Sequence, residues 1–140
     1  MQFLRYWKIS TMNLKRRRKQ NLQDNKEILK DFEYALDKYG KFATALEKKD
    51  QIVKKCVTEK VSKPQLSKSK LKEALVFAGN VLEAEDGNGI YIASVDVGRV
   101  TALTVCKLSQ GTLSIASYAK EGLIKQHFAE KAIQSIMKRI

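Results

Sequence analysis

The sequence has 140 residues, of which 44% are hydrophobic and 30% are charged, and its formal net charge is +12. This length is enough for one domain with a modest core, and the composition excludes a disordered tail and a membrane protein. No apolar run approaches the ~20 residues that a helix needs to cross a bilayer, so we expect no transmembrane segment.

The positive charge lies mainly in the first half of the chain. Residues 1–20 hold seven Lys or Arg and no acid, whereas residues 71–140 hold eight bases and seven acids. A polyanionic partner such as nucleic acid would therefore meet the N-terminal half.

Residues 1–23 form a basic N-terminal arm with a loosely helical spacing of apolar residues. Its candidate anion-binding residues are Lys15, Arg16, Arg17, Arg18 and Lys19. An acid-free, weakly amphipathic start is typical of a mitochondrial presequence, whereas a run of basic residues is typical of a nuclear-import or polyanion-binding patch. The third interpretation is a plain solvated arm, and the sequence leaves all three open.

Residues 24–61 carry the pattern of one long amphipathic helix or a helix pair, beginning near Asp24. The seam that could bind a partner helix comprises Leu29, Phe32, Leu36, Tyr39, Leu46 and Val53. The apolar stripe continues to Val57 with alternating steps of three and four, which is typical of a coiled coil, although Asp50 interrupts it. The alternative is that the same stripe packs on the protein's own core.

Residues 62–70 contain the only proline, and their composition predicts a linker. We expect residues 71–140 to form a compact α+β domain that folds without residues 1–61. Its predicted elements are a helix from Leu71 to Leu82, strands over 90–97, 100–108 and 112–120, and a closing helix from about Glu121 to Ile140. The predicted fold class is therefore α+β: a basic N-terminal helical arm, a helix, a three-stranded antiparallel meander and a C-terminal helix.

Few residues of this sequence could carry chemistry. Cys56 and Cys106 are isolated, with no CxxC pair and no neighbouring histidine, so we expect two thiols in a reducing, intracellular compartment. His127 has no second histidine or nucleophile close in sequence. We therefore predict no catalytic residue, no metal site, no cofactor and no enzymatic activity. Cytoplasmic, nuclear and mitochondrial locations all stay open.

The segment Asp96-Val97-Gly98, followed by Thr101, resembles the first hairpin of actin-like ATPases and of ribonuclease H-like nucleases, including phage terminase nucleases. This resemblance implies that Asp96 approaches phosphate or holds a divalent metal. Metal-assisted phosphoryl chemistry needs several converging carboxylates, and after Asp96 the chain offers only Glu121 and Glu130. The alternative is a polar residue at a hairpin turn.

A longer stretch resembles the second half of roadblock/LC7 domains of the Ragulator type. It consists of Gly98-Arg99-Val100, the segment GTLSIASYAKEGL from Gly111 to Leu123, and a final helix, and the similarity covers residues 70–140. The resemblance implies a helix before three strands, a closing helix on the sheet, no catalysis, and dimerisation through edge strands and helices. The first half departs from that family, because Gln51–Lys60 is too basic for a central strand.

These features predict a non-catalytic assembly or scaffold subunit that binds protein subunits through its helix and sheet edge, as a homo- or heterodimer. The alternative is a basic protein that binds nucleic acid or ribonucleoprotein through residues 15–19. A ribonuclease H-like or actin-like fragment built on Asp96 ranks last.

Overall fold

The computed structural model describes residues 26–39, 48–121 and 124–140. Within these ranges the chain forms four helices and five strands. In chain order they are α1 (Lys26–Lys38), α2 (Lys49–Lys55), β1 (Val57–Ser62), α3 (Lys68–Ala78), β2 (Gly79–Glu85), β3 (Ile90–Val97), β4 (Val100–Ser109), β5 (Thr112–Tyr118) and α4 (Phe128–Met137). The α+β class predicted from the sequence is confirmed.

The five strands form one antiparallel sheet in the order β1-β5-β4-β3-β2. Two tight turns follow directly from local sequence. Gly98 begins the β3–β4 turn with φ 61°, and Gln110 and Gly111 form the β4–β5 turn with φ 50° and 76°. Positive φ angles in two-residue turns match the twist of the flanking strands, and glycine adopts them without steric cost.

The predicted three-stranded meander is wrong, because β2 adds a fourth strand to it. The sequence predicts that the second helix continues to Leu82, but this helix ends at Ala78 and residues 79–85 form β2. A Cβ atom at Gly79 would lie 1.9 Å from the carbonyl oxygen of Ser94, so only glycine allows this approach of β2 to β3. The segment Asp86–Gly89 then closes the β2–β3 hairpin rather than ending a helix.

Residues 57–62 form β1, an additional strand of the sheet, and not the end of the predicted long helix. Val57 lies opposite Ser117 and Ser62 opposite Thr112, so β1 pairs with β5 across the predicted linker. The exposed, charged side chains of Glu59 and Lys60 suit an edge strand, where water solvates one side of the backbone. Residues on both sides of the segment 62–70 therefore belong to one sheet.

Helices cover both faces of the sheet. Helices α3 and α4 bury Leu71, Leu75 and Ile136 against one face, which includes Leu113 and Ile115 of β5. Helix α1 buries a second cluster on the opposite face, which includes Tyr118 of β5. Alternate residues of β5 therefore face opposite helical layers, as the two-residue period of a strand requires.

The last helix begins later than predicted. It starts at Phe128, and the carboxylate of Glu121 accepts hydrogen bonds from the backbone N–H groups of Gln126 and Phe128, each at 3.0 Å. Ile124, which falls within the predicted helix from Glu121 to Ile140, precedes α4 and is 77% exposed. Glu121 therefore satisfies donors at the helix start instead of belonging to the helix.

Candidate assembly surface

The strand β2 forms an edge of the sheet, and within the described part of the chain its only strand partner is β3. Its first residues, Gly79 to Val81, run in regular register with β3 and carry no charge. A bulge between Val81 and Glu83 then interrupts the register. An edge strand presents unpaired backbone N–H and C=O groups to which another strand can bond.

The far end of β2 is fixed to α1 by a polar cluster around Glu83. Its carboxylate accepts hydrogen bonds from Lys38 Nζ, from the Tyr34 hydroxyl at 3.3 Å and from the Tyr39 hydroxyl at 3.2 Å. The hydrogen bond from Lys38 is the main reason why the pKa of Glu83 is lowered. This cluster holds β2 in place on the side where α1 covers the sheet.

Beside β2, the outer side of α3 exposes an apolar side chain. Val76 is 60% exposed and follows Lys72 by one helical turn. The Nζ atom of Lys72 lies 3.8 Å from the carboxylate of Asp86 in the β2–β3 loop, and the Tyr91 hydroxyl donates to the same carboxylate at 2.9 Å. Val76 is therefore on the side of α3 that faces the β2–β3 hairpin. We call β2 together with Lys72 and Val76 the β2-edge surface.

The side of α3 that faces α4 exposes a second large apolar side chain, Phe77, at 70%. The Arg139 guanidinium carbon lies 3.3 Å from the centroid of its ring. Ser67 caps the start of α3 by accepting a hydrogen bond from the backbone N–H of Lys70 at 3.1 Å. Val76 and Phe77 point to different sides because about 3.6 residues make one helical turn.

The predicted partner-helix seam is used inside the protein. Phe32 and Leu36 are 0% and 5% exposed and pack on the sheet with Ile52. Tyr39 and Val53 are partly buried against the same cluster, and Leu29 is partly buried on α1. Phe32 and Leu36 are therefore not available to a partner helix. Periodicity shows which face of a helix is apolar but not what covers that face.

Two groups of predicted site residues lie outside the described residues. They are the whole basic run, Lys15, Arg16, Arg17, Arg18 and Lys19, and the seam residue Leu46.

Asp96 lies exposed at the end of β3, opposite Thr101 of β4. The Thr101 hydroxyl is 3.5 Å from its carboxylate, the outer limit of a hydrogen bond. Among the residues that the structure describes, no group of three or more His, Cys, Asp or Glu side chains is placed to hold a metal ion.

The single histidine and the two cysteines lie apart from one another. His127 is exposed and its Nδ1 atom is 3.4 Å from the carboxylate of Glu130. Both cysteines are free thiols, and burial raises the pKa of Cys56 to about 11 and that of Cys106 to about 12. Both thiols therefore stay protonated, and weakly nucleophilic, at neutral pH.

No protein-family model, no curated protein and no solved structure matches this chain. Within the described ranges, none of the helices combines the length and the apolar character that crossing a bilayer requires.

Sequence reasoning missed the β2 edge, Val76, Phe77 and Arg139. One signal was present in the sequence: Val76 and Phe77 are apolar but fall outside the stripe formed by Leu71, Leu75 and Ala78. Apolar residues off the stripe of an amphipathic helix indicate exposed contact points. The stacking of Arg139 on Phe77 joins residues distant in sequence and left no such signal.

Proposed function

We propose that this protein is a non-catalytic assembly subunit that binds a partner protein domain through the β2-edge surface. The observation that carries the proposal is an edge strand whose first residues are uncharged, preceded in the chain by a helix that exposes Val76. Backbone hydrogen bonds along such an edge supply affinity, and an adjoining apolar side chain supplies contact area.

The β2 edge is favoured over the opposite edge of the sheet. Strand β1 exposes the charged side chains of Glu59 and Lys60, and charge on an edge strand disfavours pairing with another strand. Strand β2 has no charged residue before Glu83, and the Glu83 carboxylate accepts hydrogen bonds from Lys38 of α1 and from Tyr39.

The resemblance to roadblock/LC7 domains is consistent with this proposal. In this chain α3 is followed by four strands, β2 to β5, rather than by three, and the closing helix α4 packs on the sheet. That family dimerises through edge strands and helices, so the partner that we propose is a domain of the same kind, either a second copy or a related chain.

The test compares substitutions on the β2-edge surface with a matched substitution elsewhere. We expect the double variant Val76→Lys, Asn80→Lys to keep its thermal stability, because both side chains are exposed, and to lose its association with a partner. Ile124→Lys is the control, because it places the same charge on another exposed apolar position. Sedimentation of the purified full chain and co-purification of an expressed partner would measure the association.

The proposal fails if the wild-type chain is monomeric at its highest soluble concentration and no protein co-purifies. It also fails if the double variant associates as well as the wild type. The variant Leu36→Lys would not test the proposal. The Leu36 side chain is buried, and a charge at that position would unfold the protein.

The second candidate function is nucleic-acid binding, which the charge of residues 1–20 favours. Replacing Lys15, Arg16, Arg17, Arg18 and Lys19 with Gln would then abolish binding. The slope of the logarithm of the binding constant against the logarithm of the salt concentration would become shallower by roughly 0.9 for each lost phosphate contact on duplex DNA. Two results together would reverse the order of the two proposals. Only this variant would lose salt-sensitive nucleic-acid binding, and Val76→Lys, Asn80→Lys would keep its protein complex intact.

A further inference from the structure

A shallow groove lies along α3, next to Arg139, which follows the end of α4. Its volume is about 180 Å³, and it meets a second depression of about 490 Å³ at Arg139. The first is lined by Lys70, Glu73, Ala74, Phe77 and Arg139, and the second by Lys131, Gln134, Ser135, Lys138 and Arg139. The groove is separate from the β2-edge surface, which lies on the other side of α3.

The groove combines an apolar contact point with an unpaired cation. The ring of Phe77 is 70% exposed, and the Arg139 guanidinium stacks on it at 3.3 Å. Stacking engages the flat face of a guanidinium and leaves its N–H edge open. That edge can donate two parallel hydrogen bonds to a carboxylate. Within the described ranges Arg139 has no carboxylate partner.

The charge around the groove is strongly one-sided. The groove is lined by two cations, Lys70 and Arg139, and one acid, Glu73, and the adjoining depression adds the cations Lys131 and Lys138 and no acid. None of the four forms an ion pair with an acid in the described part of the chain, whereas Lys38, Lys49, Lys72 and Lys107 all do. Residues 71–140 are close to neutral as a whole, so this cluster is a local concentration of positive charge.

We infer that this groove binds an acidic segment of a partner protein, with an apolar side chain of that segment resting on Phe77 and a carboxylate bound by Arg139. Charge complementarity selects this occupant. The chain's own residues 1–20 and the same groove of a second copy are both basic, and like charges repel.

Two other anionic surfaces suit the groove less well. For a nucleic acid, the carboxylate of Glu73 in the groove lining would face the phosphates. A membrane surface is bound by several apolar side chains on one face, whereas the groove exposes one large apolar residue, Phe77. Both become outcomes of the test.

The probe is a labelled peptide built from repeats of Glu-Glu-Leu-Leu, with Lys-Lys-Leu-Leu and Glu-Glu-Ser-Ser repeats as comparison peptides. We expect the full-length chain to bind only the first, as measured by fluorescence anisotropy, and to bind it more weakly as salt is raised. Arg139→Glu, Arg139→Gln and Phe77→Ser should each weaken binding roughly tenfold or more, because an Arg and an aromatic residue are the usual binding hot spots.

The matched control is Lys125→Glu, which makes the same charge change as Arg139→Glu at an exposed lysine outside the groove lining. It should leave the affinity unchanged within about twofold, since an isolated surface charge contributes little. Val76→Lys, Asn80→Lys should also bind the peptide normally, which separates this inference from the proposed function. Thermal melts would check that every variant is folded.

Three results would overturn the inference. The first is no binding of the acidic peptide by the wild type. The second is binding by Arg139→Glu and Phe77→Ser as tight as that of the wild type. The third is a loss of binding by the groove variants only to phosphatidylserine vesicles or to a single-stranded oligonucleotide. The last result would assign the groove to a lipid surface or a nucleic acid.

Discussion

The hydroxyl groups of Thr104 and Ser117 lie 2.9 Å apart on neighbouring strands, and neither side chain is exposed to solvent. The two residues stand directly opposite each other in the register of β4 and β5. Because each hydroxyl is the hydrogen-bonding partner of the other, the pair places two polar groups in the middle of the sheet without leaving either unsatisfied.

This pair predicts a specific pattern in a double-mutant cycle. Thr104→Val or Ser117→Ala alone should lower the free energy of unfolding by about 1–3 kcal/mol, because one buried hydroxyl loses its partner. The double variant should cost clearly less than the sum of the two single variants, since no unsatisfied group remains. Urea unfolding of the wild type and the three variants measures the coupling, and strictly additive costs would contradict the prediction.

The strands β3 to β5 were predictable because their signals are local. Alternating residues define the strands, and glycines at Gly98 and Gly111 define the turns. Strand β2 was not predictable in this way, because Leu82 also continues the helical spacing of Leu71 and Leu75. The residue that decides between the two structures is Gly79, and it does so through contact with Ser94 of another strand.

The candidate site was less predictable than the fold, for a related reason. The apolar stripe on α1 was visible in the sequence, but it takes the sheet to show that Phe32 and Leu36 are covered by the protein itself. Likewise, β1 is assigned by its pairing with β5, which lies far along the chain. Such non-local pairings have no local sequence signature, and they determine which surfaces stay exposed.

The burial of Phe32 predicts that α1 and the sheet unfold together. Phe32→Ala should lower the free energy of unfolding by about 3–5 kcal/mol, because it leaves a cavity between α1 and the sheet. Lys30→Ala on the exposed side of the same helix is the control and should have little effect. The rate of amide hydrogen exchange in β4 measures whether the sheet unfolds together with α1.

The same experiment tests whether residues 71–140 fold on their own, as the sequence predicts. If they do, Phe32→Ala would release α1 without changing exchange at Leu103 or Val105. The packing of these two residues under α1 leads us to expect faster exchange at both positions.

Asp31 on α1 is expected to oppose folding at neutral pH. One of its carboxylate oxygens is buried and has no hydrogen-bond partner in the described part of the chain. Burial is the main cause of its raised pKa, and it outweighs the attraction of Lys107. Since the folded-state pKa is above the unfolded value, the folded protein binds this proton more tightly, and stability decreases as pH rises from the unfolded pKa through the folded pKa.

Asp31→Asn should therefore raise the Tm at pH 7, and its advantage should disappear below about pH 4, where the carboxyl is protonated in both states. Asp96→Asn is the control, because that carboxylate is exposed at a hairpin and should change neither the Tm nor its pH dependence. A lower Tm for Asp31→Asn at pH 7 would mean that the attraction to Lys107 outweighs burial.

The cap that Glu121 forms on α4 predicts the opposite pH dependence. Its pKa is lowered, chiefly by the hydrogen bond from the backbone N–H of Gln126. Because the folded-state pKa lies below the unfolded value, the stabilisation is fully present above the unfolded pKa, near 4.3, and is lost as pH falls through the folded pKa. Glu121→Ala should lower the Tm at pH 7 and have little effect once the carboxyl is protonated.

The amides of Gln126 and Phe128 provide a local readout of this cap, since they are the groups that donate to the carboxylate. In Glu121→Ala both amides should exchange faster at pH 7, because their bonds are replaced by bonds to water. Glu59→Gln on the edge strand is the matched control and should leave both amides unchanged. Unchanged exchange at Gln126 and Phe128 in Glu121→Ala, despite a lower Tm, would show that Glu121 stabilises the fold by some means other than capping α4.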